Sequence, residues 1–461
     1  MHQKKIIALF AGLFIAALIF MLPLAGLSPA GKKCLALSLM TVIFWACGVA
    51  QSGFISGIYL VGLLIFQVAE PELVFKAWYG SSTMWLVIGA YLIASAVESS
   101  GLGERVAYAF ILKFVRSYTG IILSIFVLTF LLSILIPHPW PRALLIMSVM
   151  AVVIKNAEIT HDDAVKIGFA VFAASVPVSL IFLTGDSTIN PLAASYAGAG
   201  VADSWLGWLR FMGVPALLSS LAALGLILLF FRAKTPVKIH IEEIRKKQQD
   251  LGPMSNTEKR TVVWLLIAIV LWLTDSVHGI NIGWVTLGIA MCMSLPLFGE
   301  VLTAKSWWQV PVHVLLFLTA AMAIGTVGGA TGMNQWIAQS VLPASLPSNL
   351  FILALMISVV AMVVHIFMGS VIAVMGIVIP SLLSVAEPMG LPPFFVVFTV
   401  YIAIATHYLL PFHHLNILVG QGEENGMYTA KETLKFGIPM TAVVFLVVLF
   451  SVLWWKFIGV L

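Results

Sequence analysis

The sequence predicts an all-α polytopic membrane protein, and two observations carry that prediction. Hydrophobic residues make up 61% of the 461 residues, and charged residues only 9%. A soluble globular protein has about 25% charged residues, so this composition excludes an ordinary water-soluble domain. Apolar runs of about 20 residues, the length of a membrane-spanning helix, recur along the whole chain.

The apolar runs predict about 11 transmembrane helices. They lie near residues 6–25, 34–50, 54–69, 84–100, 167–184, 206–231, 262–275, 282–298, 314–329, 394–410 and 437–460. The first run follows Lys4 and Lys5 as a signal peptide would, but the later spans favour a retained helix. Cys34, Cys47 and Cys292 lie in or beside apolar runs, so we expect no disulfide framework.

Two further apolar blocks, residues 119–154 and 349–384, differ from these spans. Each is too long for one helix and too short for two comfortable spans, so we predict that each forms a re-entrant helical hairpin. Pro137, Pro139 and Pro141 interrupt the first block, and each lacks the N–H group that a continuous helix needs.

The tip of the first hairpin is predicted near His138, with Arg142 one turn beyond it. Interrupted backbone and an arginine at membrane depth are tolerated only inside protein or beside a water-filled cavity. We therefore expect this tip to face a binding site, which is typical of a transporter.

The only long polar segment covers residues 232–260 and holds eight Lys and Arg residues. The excess of basic residues places this linker in the cytoplasm, together with the N-terminus that carries Lys4 and Lys5. The net charge of +5 therefore reflects topology rather than affinity for nucleic acid. We expect a multi-pass protein of the cell membrane.

The linker divides the chain into a first repeat, residues 1–231, and a second repeat, residues 261–461. The segment at 85–107 resembles the segment at 315–338 in its pattern of apolar residues and glycines. This similarity predicts that each repeat combines scaffold helices with one hairpin and one broken helix.

The positions of the two hairpin tips support the repeat. Gly101 precedes His138 by 37 residues, and Gly332 precedes Gly369 by 37 residues. The second tip is therefore predicted at Gly369 and Ser370.

Each hairpin is followed by a predicted broken helix, residues 167–200 in the first repeat and 394–422 in the second. Polar stretches interrupt these helices at 182–191 and 407–422. Four discontinuous elements in two matching halves indicate an inverted-repeat secondary transporter.

Helices that are broken inside a membrane leave free N–H groups at one end and free C=O groups at the other. The N–H ends favour anions and the C=O ends favour cations. The predicted substrate-binding residues are His138, Pro139, Arg142, Ser187, Thr188, Asn190, Ser370, His413, His414 and Asn416. The predicted cation-coupling residues are Ser133, Thr184, Gly185, Asp186, Gly369 and Ser370.

The charged candidates, Arg142 and Asp186, each admit several roles. Arg142 could pair with a substrate carboxylate or with Asp186, or it could extend toward the cytoplasm as a snorkelling side chain. Asp186 could ligate a cation, accept a proton or neutralise Arg142, and we favour the last two together.

The histidines differ in how strongly their positions in the sequence indicate a binding role. His413 and His414 are the most informative pair, because two adjacent imidazoles lie in a proline-interrupted loop, although one of them could point away. His138 could line the site or be an ordinary interior polar group. His365 and His407 precede their loops by several residues, and we interpret them as packing groups.

The chain resembles the divalent anion:sodium symporter family, within the ion-transporter superfamily. The motifs that carry this resemblance are AVESSGLGERVA (96–107), LGPMSNTEKRTVVWLLIAIVLWLTD (251–275), the two hairpin blocks and LPFHHLNILVG (410–420). The resemblance implies a homodimer whose protomers have a scaffold domain and a transport domain that moves as an elevator. It also implies sodium-coupled transport of dicarboxylates, citrate or sulfate.

The hairpin tips depart from the family pattern, in which Ser-Asn-Thr tips help to hold the substrate and sodium. The first tip reads Pro-His-Pro at 137–139, although Ser133 sits where the family often has an upstream serine. The second tip keeps Ser370, but Val371 and Ile372 replace the polar pair.

The loops of the broken helices depart as well, because the family carries a Thr-Pro-Pro-Asn-like run there. Here the loops at 185–190 and 413–416 keep only the closing Asn190 and Asn416. Imidazoles have replaced oxygen side chains, and histidine titrates near physiological pH. Transport class therefore follows from the resemblance, whereas substrate and coupling ion do not.

The favoured function is a secondary active transporter of small divalent organic anions, di- or tricarboxylates, by cation-coupled symport. A proton-coupled carrier or an exchanger of sulfate or sulfonate is the alternative. A histidine-lined metal transporter and an intramembrane metalloenzyme are less favoured, since no HExxH-type spacing occurs, and paired hairpins disfavour a passive channel. We expect no enzyme activity and no cofactor besides Na⁺ or H⁺.

Overall fold

The computed structural model describes residues 2–80, 82–198, 204–233, 241–341, 347–386 and 389–461. Within these ranges the protein is helical, without strands, which confirms the predicted all-α fold. Part of the predicted linker, residues 234–240, and the last two residues of the first predicted broken helix, 199 and 200, lie outside the described residues.

The first half of the chain forms twelve α-helices, separated by short turns. They are α1 (His2–Met21), α2 (Pro29–Ala46), α3 (Ser52–Ile65), α4 (Pro71–Val74), α5 (Thr83–Ser100), α6 (Leu102–Phe114), α7 (Tyr118–Leu135), α8 (Pro139–Asn156), α9 (His161–Ser179), α10 (Ile189–Ala197), α11 (Trp205–Trp208) and α12 (Val214–Phe230). A short π-helix, Leu209–Gly213, joins α11 to α12.

The second half begins with α13, which belongs to the linker, and ends with the longest helix of the described chain. Its helices are α13 (Ile241–Asp250), α14 (Asn256–Leu273), α15 (Asp275–His278), α16 (Ile282–Cys292), α17 (Val312–Ala330), α18 (Met333–Val341), α19 (Leu350–Met368), α20 (Val371–Ala386), α21 (Pro393–Ala405), α22 (Leu415–Val419) and α23 (Ala430–Phe457).

The two interrupted blocks each fold as a helical hairpin, with α7 and α8 in the first and α19 and α20 in the second. Both turns lie at the predicted tips. The expectation that each block is too short for two spans stays a prediction, since only the first arm of each described hairpin has the length and composition of a span. At 1.5 Å per residue, the 18 residues of α7 reach about 27 Å, and α7 and α19 are both long and apolar enough to cross a membrane.

Six described helices are long and apolar enough to span a bilayer, and five more apolar helices are shorter. The predicted span at 282–298 is one of the short ones, because α16 ends at Cys292 after 11 residues. Pro296 cannot donate a backbone hydrogen bond and disfavours helical geometry at Leu295, so the apolar run continues as turns. The number of spans in the membrane stays a prediction.

Both predicted broken helices are interrupted near their centres. In the first repeat α9 ends at Ser179 and α10 begins at Ile189. In the second repeat α21 ends at Ala405 and α22 begins at Leu415. Each gap contains one turn of 3₁₀-helix, Leu183–Gly185 or Pro411–His413. We name these gaps loop 1, residues 180–188, and loop 2, residues 406–414.

The linker is attached to the helical body by a partly buried ion pair. Arg105 on α6 donates two hydrogen bonds to Glu258 on α14, at 2.6 and 3.1 Å, and two more to the carbonyl groups of Leu251 and Gly252. Glu258 also accepts a bond from the backbone N–H of Ser255, which caps α14. The Gly252–Glu258 part of the motif that opens the second half therefore acts as a clamp.

We predict that Glu258→Gln lowers the apparent melting temperature by several degrees, because Arg105 loses its charged partner at a partly buried position. Arg105 holds the pKa of the Glu258 carboxyl below its ordinary value. The contribution is therefore present at neutral pH and is lost only as the pH falls through that lowered pKa. Thermal unfolding in detergent at several pH values measures both effects.

Glu300→Gln is the matched control, because Glu300 pairs with Arg260 at an exposed site. Exposed ion pairs contribute little to stability, so this variant should melt near the wild-type temperature. An equal loss in both variants would contradict the clamp.

Candidate transport site

Loop 1 packs directly against the tip of the first hairpin. The backbone N–H of Ser187 donates to the carbonyl of Pro137 at 3.0 Å. A side chain at Gly185 would place its Cβ 2.4 Å from the carbonyl oxygen of Ser179, so only glycine allows the loop to fold back this closely. The hairpin tip and the broken helix of the first repeat therefore form one unit.

Arg142 holds this unit together from inside. Its side chain is completely buried. One guanidinium nitrogen, Nη1, donates to the carbonyls of Ile136 at 2.9 Å and Gly185 at 3.2 Å, while Nη2 donates to the hydroxyl of Ser179 at 2.5 Å. The snorkelling interpretation was therefore wrong, since this arginine joins the end of α7 to loop 1 and the end of α9.

Asp186 does not serve as the hydrogen-bonding partner of Arg142. One of its carboxylate oxygens accepts the backbone N–H groups of Thr188 at 2.9 Å and Ile189 at 3.1 Å, at the start of α10. A carboxylate at a helix N-terminus is stabilised by the free N–H groups and by the helix dipole. Arg142 and Asp186 thus stabilise opposite kinds of helix end.

Asn190, the second residue of α10, stabilises loop 1 through its side chain. Its side-chain amide donates to the carbonyls of Ser179 and Phe182, both at 2.8 Å, and its oxygen accepts the hydroxyl of Tyr401. Tyr401 lies on α21, so this contact joins the broken helices of the two repeats. Every hydrogen-bonding group of the Asn190 side chain that the structure describes is directed at protein.

His138 and Thr188 meet at Tyr91, which the sequence did not single out. The His138 and Tyr91 rings lie 5.0 Å apart, and the hydroxyls of Tyr91 and Thr188 share a hydrogen bond of 3.3 Å. His138 also caps α8, since its Nδ1 accepts the backbone N–H of Trp140 at 3.3 Å, and Pro139 is the first residue of that helix.

Two predicted cation-coupling residues bond elsewhere. The Ser133 hydroxyl donates to the carbonyl of Phe130 at 2.7 Å, within its own helix. The Thr184 hydroxyl accepts the indole N–H of Trp205 at 3.2 Å. Both side chains are buried, and neither directs its hydroxyl hydrogen bond toward the first tip.

The second tip turns at Gly369, which has a φ of 62°. A Cβ at this position would lie 2.6 Å from the ring of Phe412, so loop 2 also packs tightly on its hairpin. Ser370 is half-buried, and its hydroxyl accepts the backbone N–H of Ala373 at 3.4 Å as the cap of α20.

The histidines of loop 2 shape its backbone. Nδ1 of His413 accepts the N–H groups of Leu409 at 3.1 Å and Leu410 at 3.4 Å, and Nδ1 of His414 accepts the N–H of Asn416 at 3.3 Å. The adjacent imidazoles thus satisfy backbone donors at the break in the helix.

The structure also brings together three histidines that the sequence treated separately. His365 at the end of α19 and His407 in loop 2 flank His413, and the three rings lie 5.4 to 6.3 Å apart. The interpretation of His365 and His407 rested on sequence distance alone, whereas the hairpin fold makes them neighbours.

Several buried polar atoms of these loops have no hydrogen-bond partner within the described protein. In loop 1 the atom is the hydroxyl of Ser187, and just beyond loop 2 it is the amide nitrogen of Asn416. In loop 2 the atoms are Nδ1 of His407, the hydroxyl of Tyr408 and Nε2 of His413. Buried polar groups are normally hydrogen-bonded, so such atoms at helix breaks are candidates for ligand contacts.

The fold and these paired breaks define a polytopic membrane protein of the transporter class. The sequence matches the family described as the sodium:sulfate symporter transmembrane region over residues 3–461, and the chain belongs to that family. This confirms the resemblance found from the sequence motifs.

Related proteins include transporters from bacteria and plants. The sodium-dependent dicarboxylate transporter SdcS of Staphylococcus saprophyticus is 25% identical over 87% of this chain and 82% of its own. Dicarboxylate transporter 1 of Spinacia oleracea chloroplasts is 25% identical over 84% of this chain and 70% of its own. The citrate/succinate antiporter of Escherichia coli is 25% identical over 55% and 54%.

The fold is also similar to that of a transporter of known structure. The Alcanivorax borkumensis YdaH transporter, described as having an unusual topology, superposes with a TM-score of 0.51 over 87% of this chain and 89% of its own. The sequences are 14% identical, so the likeness concerns the fold alone.

We predict that Arg142→Lys reduces the free energy of unfolding by about 3 kcal/mol, because one ammonium group cannot reach three separated acceptors and leaves buried carbonyls unpaired. Ser179→Ala removes only one of the three acceptors and should cost about 1 kcal/mol. Denaturant or thermal unfolding in detergent compares them. A larger loss in Ser179→Ala would contradict the bridging role of Arg142.

We also predict that Gly369→Ala is more damaging than Gly332→Ala. Both glycines have positive φ, 62° and 79°, which costs an alanine about 1 kcal/mol or more. Only Gly369 adds a clash with Phe412, since a Cβ at Gly332 would meet open space. Equal melting temperatures of the two variants would show that the contact between the second tip and loop 2 is loose.

Proposed function

We propose that this protein is a secondary active transporter of small divalent organic anions, di- or tricarboxylates, that works by cation-coupled symport. Family membership and relatives named as dicarboxylate and citrate transporters support the substrate class. The observation that carries the proposal is the pair of unwound loops, each packed on a hairpin tip inside an apolar protein.

The arrangement of helix ends suits an anionic substrate. The N-termini of α8 and α10 begin at the first tip and at loop 1, which are bonded through Ser187 and Pro137. The first N–H groups of these helices already bond to Asp186 and His138, so the feature that favours an anion at these ends is the helix dipole. The unpartnered Ser187 hydroxyl lies at the same place and could donate to a carboxylate.

Arg142 has a supporting role in this proposal. Because its two terminal nitrogens already bond to protein oxygens, it acts as a fixed positive charge behind the first tip rather than as a direct substrate ligand. A preorganised charge of this kind attracts an anion without reorganising when the anion arrives.

The proposal extends to assembly and placement. We propose a homodimer in the cell membrane with the N-terminus and the linker in the cytoplasm, in which the hairpins and broken helices move as a transport domain against the scaffold helices. The basic linker supports the orientation. Cross-linking of the purified protein in lipid tests the dimer, and labelling of single cysteines from each side tests the orientation.

We predict that succinate, malate or citrate raises the melting temperature of the purified protein, because a ligand that binds the folded state stabilises it by mass action. Sulfate and a sulfonate are the comparison anions, and each is tested with and without sodium. Stabilisation by sulfate alone would contradict the dicarboxylate proposal, and stabilisation by none of the anions would contradict the substrate class.

Ser187→Ala should weaken the apparent affinity for the stabilising anion by about tenfold, the equivalent of one hydrogen bond to a charged group. Its melting temperature without ligand should stay near that of the wild type, because the hydroxyl has no partner in the protein. Ser175→Ala on α9, whose hydroxyl bonds within its own helix, is the control and should bind normally. Equal affinities in all three proteins would contradict a role for Ser187 in binding the anion.

A further inference from the structure

Three buried imidazoles form a cluster where the second hairpin packs on loop 2. His365, His407 and His413 are at most 1% exposed, and their ring centres lie 5.4, 5.8 and 6.3 Å apart. Each ring has one buried nitrogen without a partner in the described protein: Nδ1 of His365, Nδ1 of His407 and Nε2 of His413. None of the backbone contacts described above uses these nitrogens.

The hydrogen bond made by the other nitrogen determines the tautomer of His365. Its Nε2 lies 3.0 Å from the carbonyl oxygen of His413. Since a carbonyl only accepts, Nε2 must carry the hydrogen. In the neutral ring Nδ1 is therefore an unprotonated lone pair inside the protein.

In His413 the unpartnered ring nitrogen is the one that carries the hydrogen, which is the reverse of His365. Its Nδ1 accepts the backbone N–H groups of Leu409 and Leu410, so the hydrogen of the neutral ring lies on Nε2. A nitrogen that carries hydrogen offers no lone pair to a metal ion. Independently of the tautomers, no group of three His, Cys, Asp or Glu side chains among the described residues is arranged to hold a metal ion. Sodium is disfavoured as well, because hard cations prefer oxygen ligands.

Two helix C-termini converge on the cluster. His365 lies in the last turn of α19, which ends at Met368, and His407 follows the end of α21 at Ala405. The free carbonyls of a helix C-terminus carry partial negative charge and stabilise a positive group such as an imidazolium by electrostatic attraction. Both ends therefore favour a cation at the position of the imidazoles.

The surrounding charges are few. The titratable groups that act on His365 are His407, His413 and His414, with no carboxylate among the described residues. The arm α20 has no titratable side chain. The packed helices α2 and α23 carry their charges only near their ends, at Lys32, Lys33, Lys431, Glu432, Lys435 and Lys456, while buried Tyr401 and Tyr408 are neutral phenols.

We propose that the cluster of His365, His407 and His413 is the binding site of a coupling proton, with Nδ1 of His365 as the acceptor. A proton from water on one side forms an N–H bond with that lone pair and gives the cluster one positive charge. The proton leaves to water on the other side, and no bond to the substrate forms or breaks. This inference rests on the proposed function and names its coupling ion.

The cluster is also placed to respond to the second hairpin tip. The ring of Phe412 contacts the tip at Gly369 and packs edge-on against His413, with ring centres 4.6 Å apart. A movement of the tip would therefore displace His413 and change the surroundings of His365. Proton uptake and release can follow the position of the hairpin by this route.

The test uses the full-length protein in proteoliposomes with labelled succinate, at a pH where succinate is fully ionised. An inward proton gradient without sodium should drive accumulation, and succinate entry should acidify the lumen as reported by a trapped pH dye. His365→Gln keeps a donor for the His413 carbonyl but cannot be protonated, so it should lose proton-driven accumulation. Succinate counterflow, which needs no net proton movement, measures whether this variant still transports.

His161→Gln is the control, because His161 is exposed, with 63% of its side chain accessible, and it lies beside the exposed Glu423 rather than in the cluster. It should behave as the wild type in every assay. His413→Asn, which retains an acceptor for the two backbone N–H groups, provides a second variant and should also lose proton-driven accumulation.

Three results would overturn the proton site. They are wild-type accumulation that follows only a sodium gradient, succinate entry without acidification of the lumen, and proton-driven accumulation that persists in His365→Gln. The dye measurement on the wild type needs no variant to fold. A wild-type protein without succinate, malate or citrate counterflow would instead overturn the proposed function, and the proton site with it.

Discussion

The structure depends on how helices that break inside an apolar protein satisfy their free backbone groups. Water is not available there, so protein groups must bond to the exposed carbonyl and N–H groups at each break. Arg142 does this for carbonyls at the ends of α7 and in loop 1, while Asp186 does it for N–H groups at the start of α10. These side chains satisfy backbone groups at the place where loop 1 rests on the first hairpin tip.

The second repeat meets the same requirement with neutral groups. His413 and His414 accept backbone N–H groups in loop 2, and His365 donates to a loop carbonyl. Two equivalent breaks are thus stabilised by an arginine and an aspartate in one half and by imidazoles in the other. This difference gives the repeats unlike electrostatics, because the first break is held by two side chains of opposite charge and the second by imidazoles.

Much of the fold could be predicted because long apolar runs and their interruptions follow directly from the sequence. The hairpin tips, both broken helices and the family were identified in this way. The helix α16 ends earlier than its apolar run, because hydropathy alone does not locate a helix end. The roles of the predicted site residues stay predictions. The structure adds that Ser133 and Thr184 bond to protein groups. It also adds Tyr91 and Tyr401, which contact predicted site residues and gave no signal because they are ordinary aromatic residues on apolar helices.

The sequence by itself determined the membrane class, the helical architecture with paired breaks and the membership of a transporter family, because these depend on composition, spacing and motif. Only the tertiary structure decided that Arg142 bonds to Ile136, Gly185 and Ser179, and that His365 and His407 join His413. Those contacts link residues from 6 to 48 positions apart. Hydrogen-bond partners and tautomers are properties of the folded arrangement, which brings such residues within reach of one another.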